Sequence, residues 1–312
     1  MPRKPPAPLS SAPLAYENPP FLNSPDGRII RILSEYSEPL ARFRREHIRD
    51  TVVFFGSARF HALDEANHEL ELLENTGSVQ RAPLHEQPAR SHQIEQGTAS
   101  ELSIRRAKAA VEMARYYEDA RRLAFLLTQW AKTLKSRRHR FVVTSGGGPG
   151  IMEAANRGAY EAGGKTIGLN IRLPFEQFPN RYITPSLNFE FHYFFMRKYW
   201  FAYLAKALVV FPGGFGTLDE MFEILTLAQT QKLAKKMPVV LYGPSYWNEI
   251  INFDALVDRG TISPNDRELF QVASTSDEAF ALLKDGLTKY HLEAEATTAE
   301  PDEAPEIART RK

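Results

Sequence analysis

The stretch Ala207-Leu-Val-Val-Phe-Pro-Gly-Gly-Phe-Gly-Thr-Leu-Asp-Glu220 passes from an apolar run, through glycines, into the helical pattern LDEMFEILTLAQ. The run 207–211 is near-continuously apolar, as in a strand buried on both faces. Glycine then lets the chain turn with positive φ and lets a ligand approach main-chain N–H groups closely. The helix start adds unpaired N–H donors and a partial positive charge, which suit an anion such as phosphate. The same arrangement occurs earlier. Ser145-Gly146-Gly147-Gly148-Pro149-Gly150 follows FVVT (141–144) and precedes IMEAANRGAYEA. A weaker turn, Gly56-Ser57-Ala58-Arg59, follows TVVFF (51–55). Eleven of the 18 glycines lie between Gly146 and Gly216. Two such loops, at the ends of strands that should lie near each other, favour a phosphate site over plain strand–helix turns.

Further strands are expected at 166–171 and 238–242, and helices at about 104–136, 150–163, 193–206, 217–235 and 276–289. This alternation predicts an α/β fold: a doubly wound, Rossmann-like parallel sheet with helices on both faces. Ligands of such sheets sit beyond the carboxyl ends of the strands. Eight of the 21 prolines fall within the first 25 residues, so 1–26 reads as an extended, disordered arm. Residues 61–103 form a polar stretch, read as an insertion or long loop. Residues 291–312 are acidic, then basic, and read as a disordered tail. A single nucleotide-binding domain is thus expected over 27–290.

Composition narrows the function classes. The chain has 312 residues, with 39 Lys+Arg against 38 Asp+Glu. A globally basic nucleic-acid binder is not expected. The sequence has no cysteine, which removes thiolate metal sites, iron–sulfur clusters and cysteine nucleophiles. No apolar run approaches the roughly 20 residues of a membrane span. Residues 1–20 hold no apolar signal core, so a soluble cytoplasmic protein is the expectation. Four of the eight histidines fall in the polar insertion, at irregular spacing that argues against a metal site.

Two phosphate motifs are absent. Neither glycine loop meets G-x-G-x-x-G, and Gly158…Gly163-Gly164-Lys165-Thr166 has one residue too many for a Walker A loop. Two readings fit Glu220. It lies about one turn into the helix after the second loop, beside whatever that loop anchors. It also completes a T-x-x-E capping box with Thr217, which needs no ligand. Glu153, in the first turn after the other loop, either complements the helix dipole or faces a ligand. Arg197 and Lys198 sit in a strongly aromatic helical stretch, 192–204, where buried cations need a partner. That partner is a phosphate or carboxylate, unless the helix turns a basic edge to water.

Together these elements resemble the Lonely Guy (LOG) family of cytokinin riboside 5′-monophosphate phosphoribohydrolases, allied to bacterial nucleotide 5′-monophosphate nucleosidases. The segment 212–220 matches the family's P-G-G-x-G-T-x-x-E signature. Gly146–Asn156 is similar to its first glycine loop, Met196-Arg197-Lys198 to its arginine–lysine element, and Phe55–Arg59 to its opening turn. The resemblance spans roughly 50–60 and 104–290. Relatives often carry the label lysine decarboxylase, but no lysine stands in a recognisable pyridoxal-phosphate context. The resemblance implies hydrolysis of the N-glycosidic bond of a nucleoside 5′-monophosphate, AMP or a cytokinin nucleotide. It makes Glu220 and Arg197 the catalytic pair. Gly213, Gly214, Gly216 and Thr217 would hold the phosphate. Gly147, Gly148, Glu153 and Lys198 would add substrate contacts, and Ser57 and Arg59 would close the pocket. It implies no metal or organic cofactor, and a homodimer with the aromatic helix near 193–206 in its interface. The rival expectation is a non-catalytic carrier or sensor of the same superfamily, such as a molybdenum-cofactor carrier. A scaffold acting through the Pro-rich arm is a third.

Overall fold

The computed structural model describes residues 11–76, 96–174, 178–233 and 235–294. Seven strands form one parallel sheet: β1 (Thr51–Phe55), β2 (Val142–Ser145), β3 (Thr166–Ile171), β4 (Asn188–Phe191), β5 (Ala205–Val210), β6 (Val239–Tyr242) and β7 (Gln271–Ala273). Their order is β4-β3-β2-β1-β5-β6-β7, with every pairing parallel. The chain builds outward from β1 to β4, then crosses back to place β5 on the free side of β1. The point where the order reverses therefore lies between β1 and β5. In such sheets a crevice opens there, beyond the carboxyl ends of the strands.

The helices are α1 (Pro19–Leu22), α2 (Arg28–Arg45), α3 (Leu63–Thr76), α4 (Gln96–Thr133), α5 (Ile151–Glu161), α6 (Phe194–Leu204), α7 (Phe215–Gln229), α8 (Pro244–Ile250), α9 (Phe253–Asp258) and α10 (Ser276–Leu287). Side chains of β1 alternate between two cores. Val52 and Phe54 pack with residues of α4, α5 and α10, whereas Val53 and Phe55 pack with residues of α2, α6 and α7. This is the doubly wound α/β architecture expected from the alternation of strand and helix patterns.

The differences from expectation have local causes. Strands β4 and β7 and helices α2, α8 and α9 lack the long apolar runs that mark the other elements. Within the 61–103 stretch, 63–76 is helical, because Ala62 and Ala66 bury themselves against the core side. Helix α4 begins at Gln96, inside the same stretch, and 77–95 lie outside the described residues. Of the expected arm, 11–26 holds a turn of 3-10 helix (Ala15–Glu17) and α1, and 1–10 lie outside the described residues. Residues 291–294, expected to belong to the tail, lie among the described residues. A π-helical turn spans Thr288–Leu292 and buries His291, while 295–312 lie outside the described residues.

Helix α2 braces both the sheet edge and the start of α6. The guanidinium of Arg42 donates to Asn188 O at 2.8 Å, occupying a carbonyl of the outermost strand β4. Glu35 does more. Its carboxylate accepts from the N–H of His192 at 2.7 Å and of Tyr193 at 3.3 Å. Tyr193 is the N-cap of α6 and has no capping side chain of its own. A carboxylate from another helix thus holds the N–H of the N-cap residue and of the residue before it, the part that the N3 side chain plays in a capping box. The indole N–H of Trp200, two turns further into α6, donates to Glu35 O at 2.8 Å. Replacing Glu35 by alanine removes two charge-assisted hydrogen bonds at the entry to α6 and is expected to lower unfolding free energy by about 1–2 kcal/mol, read from urea denaturation.

Candidate active site

The turn after β5 is pinned to β1 at the reversal point. Phe211 N–H donates to Phe55 O at 2.8 Å, and Ser57 N–H donates to Pro212 O at 3.0 Å. The Tyr246 hydroxyl donates to Gly213 O at 2.8 Å, and Leu218 N–H donates to Gly214 O at 3.0 Å. Three successive carbonyls are therefore held by protein donors. In a trans peptide the N–H points opposite to the C=O, so the amides that follow are turned away from those donors. Among the described residues, no acceptor of the chain takes the N–H of Gly213, Gly214, Phe215, Gly216 or Thr217. These five amides lead into the 15-residue helix α7, whose N-cap is Gly214. A helix start with a row of unpaired donors suits an anion in geometry and in charge.

Glycine is required at Gly213 by close approach. A Cβ there would overlap Thr217 Oγ1 and come 2.9 Å from Ser57 N. At Gly214 and Gly216 a Cβ would meet nothing within 4 Å, and Phe215 between them is 93% exposed. The outer rim of the turn is open.

The capping-box reading of Thr217 and Glu220 does not hold. Helix α7 starts at Phe215, so Thr217 lies inside its first turn rather than at the N-cap. The expected start at 217 was two residues late, because Phe215 and Gly216 are poor markers of a helix. Glu220 is free of any capping duty. It is buried as a residue, yet its side chain keeps 10% of its exposure. Burial pushes its carboxyl up to about 7, against the downward pull of Arg197 and Lys198.

Arg197 reaches this carboxylate from α6. Its Nη1 lies 3.7 Å from Glu220 Oε1, which is charge attraction without a hydrogen bond. Its Nε donates to Leu169 O at 2.7 Å, at the carboxyl end of β3. Its guanidinium also stands over the Phe201 ring at 5.0 Å. The first glycine loop gives it room. A Cβ on Gly146 would lie 2.5 Å from Arg197 Nη2 and 2.6 Å from Met152 Sδ.

The two glycine loops differ in kind. Gly147 and Gly148 are buried, and Asn180 binds their carbonyls, its amide nitrogen at 3.1 Å from each. Asn180 also donates to Asn156 Oδ1 at 2.9 Å, and the Ser145 hydroxyl donates to the same oxygen at 2.7 Å. The first loop is thus fastened from within, and the second is open. Glu153 accepts from the Tyr117 hydroxyl at 3.1 Å. Lys198 points to α7, where it pairs with Asp219 at 2.8 Å and Glu223 at 2.9 Å. Ser57 sits at the reversal point, and its Oγ accepts from Arg59 N–H at 3.1 Å, while the Arg59 side chain is exposed. Sequence reasoning gave no role to Asn156, which closes the first glycine motif, and missed Asn180 and Tyr246, which belong to no glycine motif and come to the loops only through the fold. Two hollows of about 440 and 460 Å³ lie elsewhere, one beside α3 and the other between α2 and β4. Neither carries the paired acid and cation.

Carbon-13 NMR titration of the glutamate carboxyls is expected to show Glu220 ionising near pH 7, well above an ordinary glutamate. In Gly146→Ala the displaced guanidinium attracts the carboxylate less, so the Glu220 midpoint moves further up. An unchanged midpoint would separate Arg197 from Glu220.

Known proteins bear on this arrangement. A family model described as "Possible lysine decarboxylase" matches residues 152–283. The "Probable cytokinin riboside 5'-monophosphate phosphoribohydrolase LOGL3" of Oryza sativa subsp. japonica is 30% identical over 160 residues, 48% of this chain and 68% of that protein. The cytokinin riboside 5′-monophosphate phosphoribohydrolase LOG5 of Arabidopsis thaliana is 28% identical over 190 residues, 58% of this chain and 81% of that protein. A structure of the molybdenum cofactor carrier protein of Chlamydomonas reinhardtii aligns at 24% identity over 56% of this chain and 89% of that one, with a TM-score of 0.37. A likeness that weak decides nothing about function. On the identity and coverage of the rice relative, the chain belongs to the Lonely Guy (LOG) family.

Proposed function

We propose that the protein hydrolyses the N-glycosidic bond of a nucleoside 5′-monophosphate, AMP or a cytokinin riboside monophosphate, giving the free base and ribose 5-phosphate. One observation carries this reading: five unpaired amides at 213–217 are followed, one helical turn on, by a buried carboxylate facing an arginine. The amides and the Thr217 hydroxyl take the 5′-phosphate. That anchor places the sugar beside Glu220 and turns binding energy into position.

The bond from C1′ to the base nitrogen breaks, and its electron pair leaves with the base, which takes up a proton. The positive charge left on C1′ and the ring oxygen faces the Glu220 carboxylate. A water oxygen bonds to C1′, and Glu220 accepts the proton that water releases. Arg197 orients the carboxylate and offers its remaining N–H groups to sugar oxygens. Glu153 has one oxygen engaged by Tyr117 and offers the other to the sugar or base. Gly147 and Gly148 hold the frame behind Arg197, Ser57 and Arg59 form the rim, and Lys198 fastens α6 to α7. Phe194 and Phe195, both exposed on α6, are the proposed contact of a homodimer.

The family model's description would imply pyridoxal phosphate, which forms an imine with a neutral lysine. Lys198, the lysine next to Arg197, does not fit. Burial pulls its pKa down, but the bonds to Asp219 and Glu223 outweigh burial and hold it above the ordinary lysine value as an ammonium.

AMP incubated with the protein is expected to yield adenine and ribose 5-phosphate in equal amounts, read by chromatography. Glu220→Gln and Arg197→Ala are each expected to lose roughly 100- to 1,000-fold in rate. The carboxylate is the working form of Glu220, so turnover climbs as pH rises through about 7 and levels off above it. Tight AMP binding without products would identify a carrier instead.

A further inference from the structure

We infer that Tyr246, from α8, is the positioning residue of the phosphate seat. The inference rests on the proposed hydrolase reading and extends it to an element outside the glycine motif. Three carbonyls of the turn are held, but by different kinds of donor. Ser57 N–H and Leu218 N–H, which hold Pro212 O and Gly214 O, are main-chain groups fixed by β1 and by α7. Gly213 O is held by a side chain, the Tyr246 hydroxyl at 2.8 Å.

Peptide planarity carries this restraint across to the anion side of the turn. The Gly213 carbonyl and the Gly214 N–H belong to one rigid plane and point in opposite directions. While Tyr246 holds the carbonyl, the Gly214 N–H is held toward the open rim. Without the hydroxyl, the plane between two glycines has little to resist rotation, since neither residue carries a Cβ. A rotated plane would present a carbonyl oxygen to the phosphate in place of a donor. Tyr246 is itself well placed to act as a fixed post. It is half-buried, and its ring packs edge-on against buried Trp247 with centroids 5.1 Å apart. The Trp247 indole N–H donates in turn to Tyr242 O at 2.9 Å, at the end of β6. The sheet thus holds the tryptophan, the tryptophan packs the tyrosine, and the tyrosine orients the peptide.

Tyr246→Phe removes one oxygen and keeps the ring against Trp247. The full-length, nitrogen-15-labelled protein is titrated with inorganic phosphate, and the shifts of amides 213–217 give the dissociation constant. AMP kinetics and inhibition by adenosine, which lacks the phosphate, are measured beside it. The loss of one hydrogen bond's worth of orientation is expected to raise the phosphate Kd and the AMP KM together by roughly 3- to 10-fold. The adenosine inhibition constant stays within about twofold of wild type, the signature of an anchor that acts through the phosphate alone. An equal phosphate Kd in both forms overturns the inference and leaves the hydrolase reading standing. Equal weakening of phosphate and adenosine also overturns it, since Tyr246 would then serve the fold in general. Absence of phosphate-induced shifts at 213–217 in the wild type overturns both.

Discussion

The site rests on a division of labour within one turn: the carbonyls of Pro212, Gly213 and Gly214 face protein donors, and the amides from 213 to 217 meet no acceptor among the described residues. Four of those amides, from Gly214 to Thr217, are the donors that any helix start leaves without an intrahelical partner, and Gly213 adds a fifth. Here they lie where the strand order reverses and the turn stays open to solvent. The parallel sheet supplies the location, the glycines supply the close approach, and β1 and α8 supply the restraint. None of the three alone gives the arrangement of the proposed phosphate seat.

Beside that seat, opposing electrostatic effects meet on one carboxylate. Burial raises the pKa of Glu220, and the cations on α6 lower it, so the group sits near neutrality rather than at either extreme. The Arg197 guanidinium is close enough to attract and too far to form a hydrogen bond, at 3.7 Å. Both groups therefore keep hydrogen-bonding capacity for a ligand. Their spacing depends on how α6 lies against α7. Lys198 ties the two helices together through Asp219 and Glu223, and Glu35 of α2 holds the start of α6. The residues that set the geometry are thus spread over three helices, and one of them, Glu35, lies outside the stretch that the family model matches.

The sheet was largely legible because its central strands are unbroken apolar runs. TVVFF and ALVVF are buried at almost every position, as strands covered on both faces must be. Edge strand β4 escaped notice because Asn188-Phe-Glu-Phe191 alternates over only four residues, and β7 because it has three. The glutamate could be named from sequence because it ends a glycine-rich motif, and the arginine because it stands as a cation in a strongly aromatic helical stretch. Their relation could not, since 23 positions separate them and only the packing of α6 on α7 brings them together. The same limit explains Tyr246 and Asn180, each 33 residues from the glycine carbonyl it binds. The capping box misled because its spacing is right and its register is wrong: two residues before Thr217 are already helical.

A crystal structure of Glu220→Gln with AMP bound tests the central claim most directly. The account predicts the phosphate oxygens on the amides of 213–217 and C1′ of the ribose within about 4 Å of the side chain at position 220. A phosphate bound at the first glycine loop, or a ribose directed away from position 220, would contradict it.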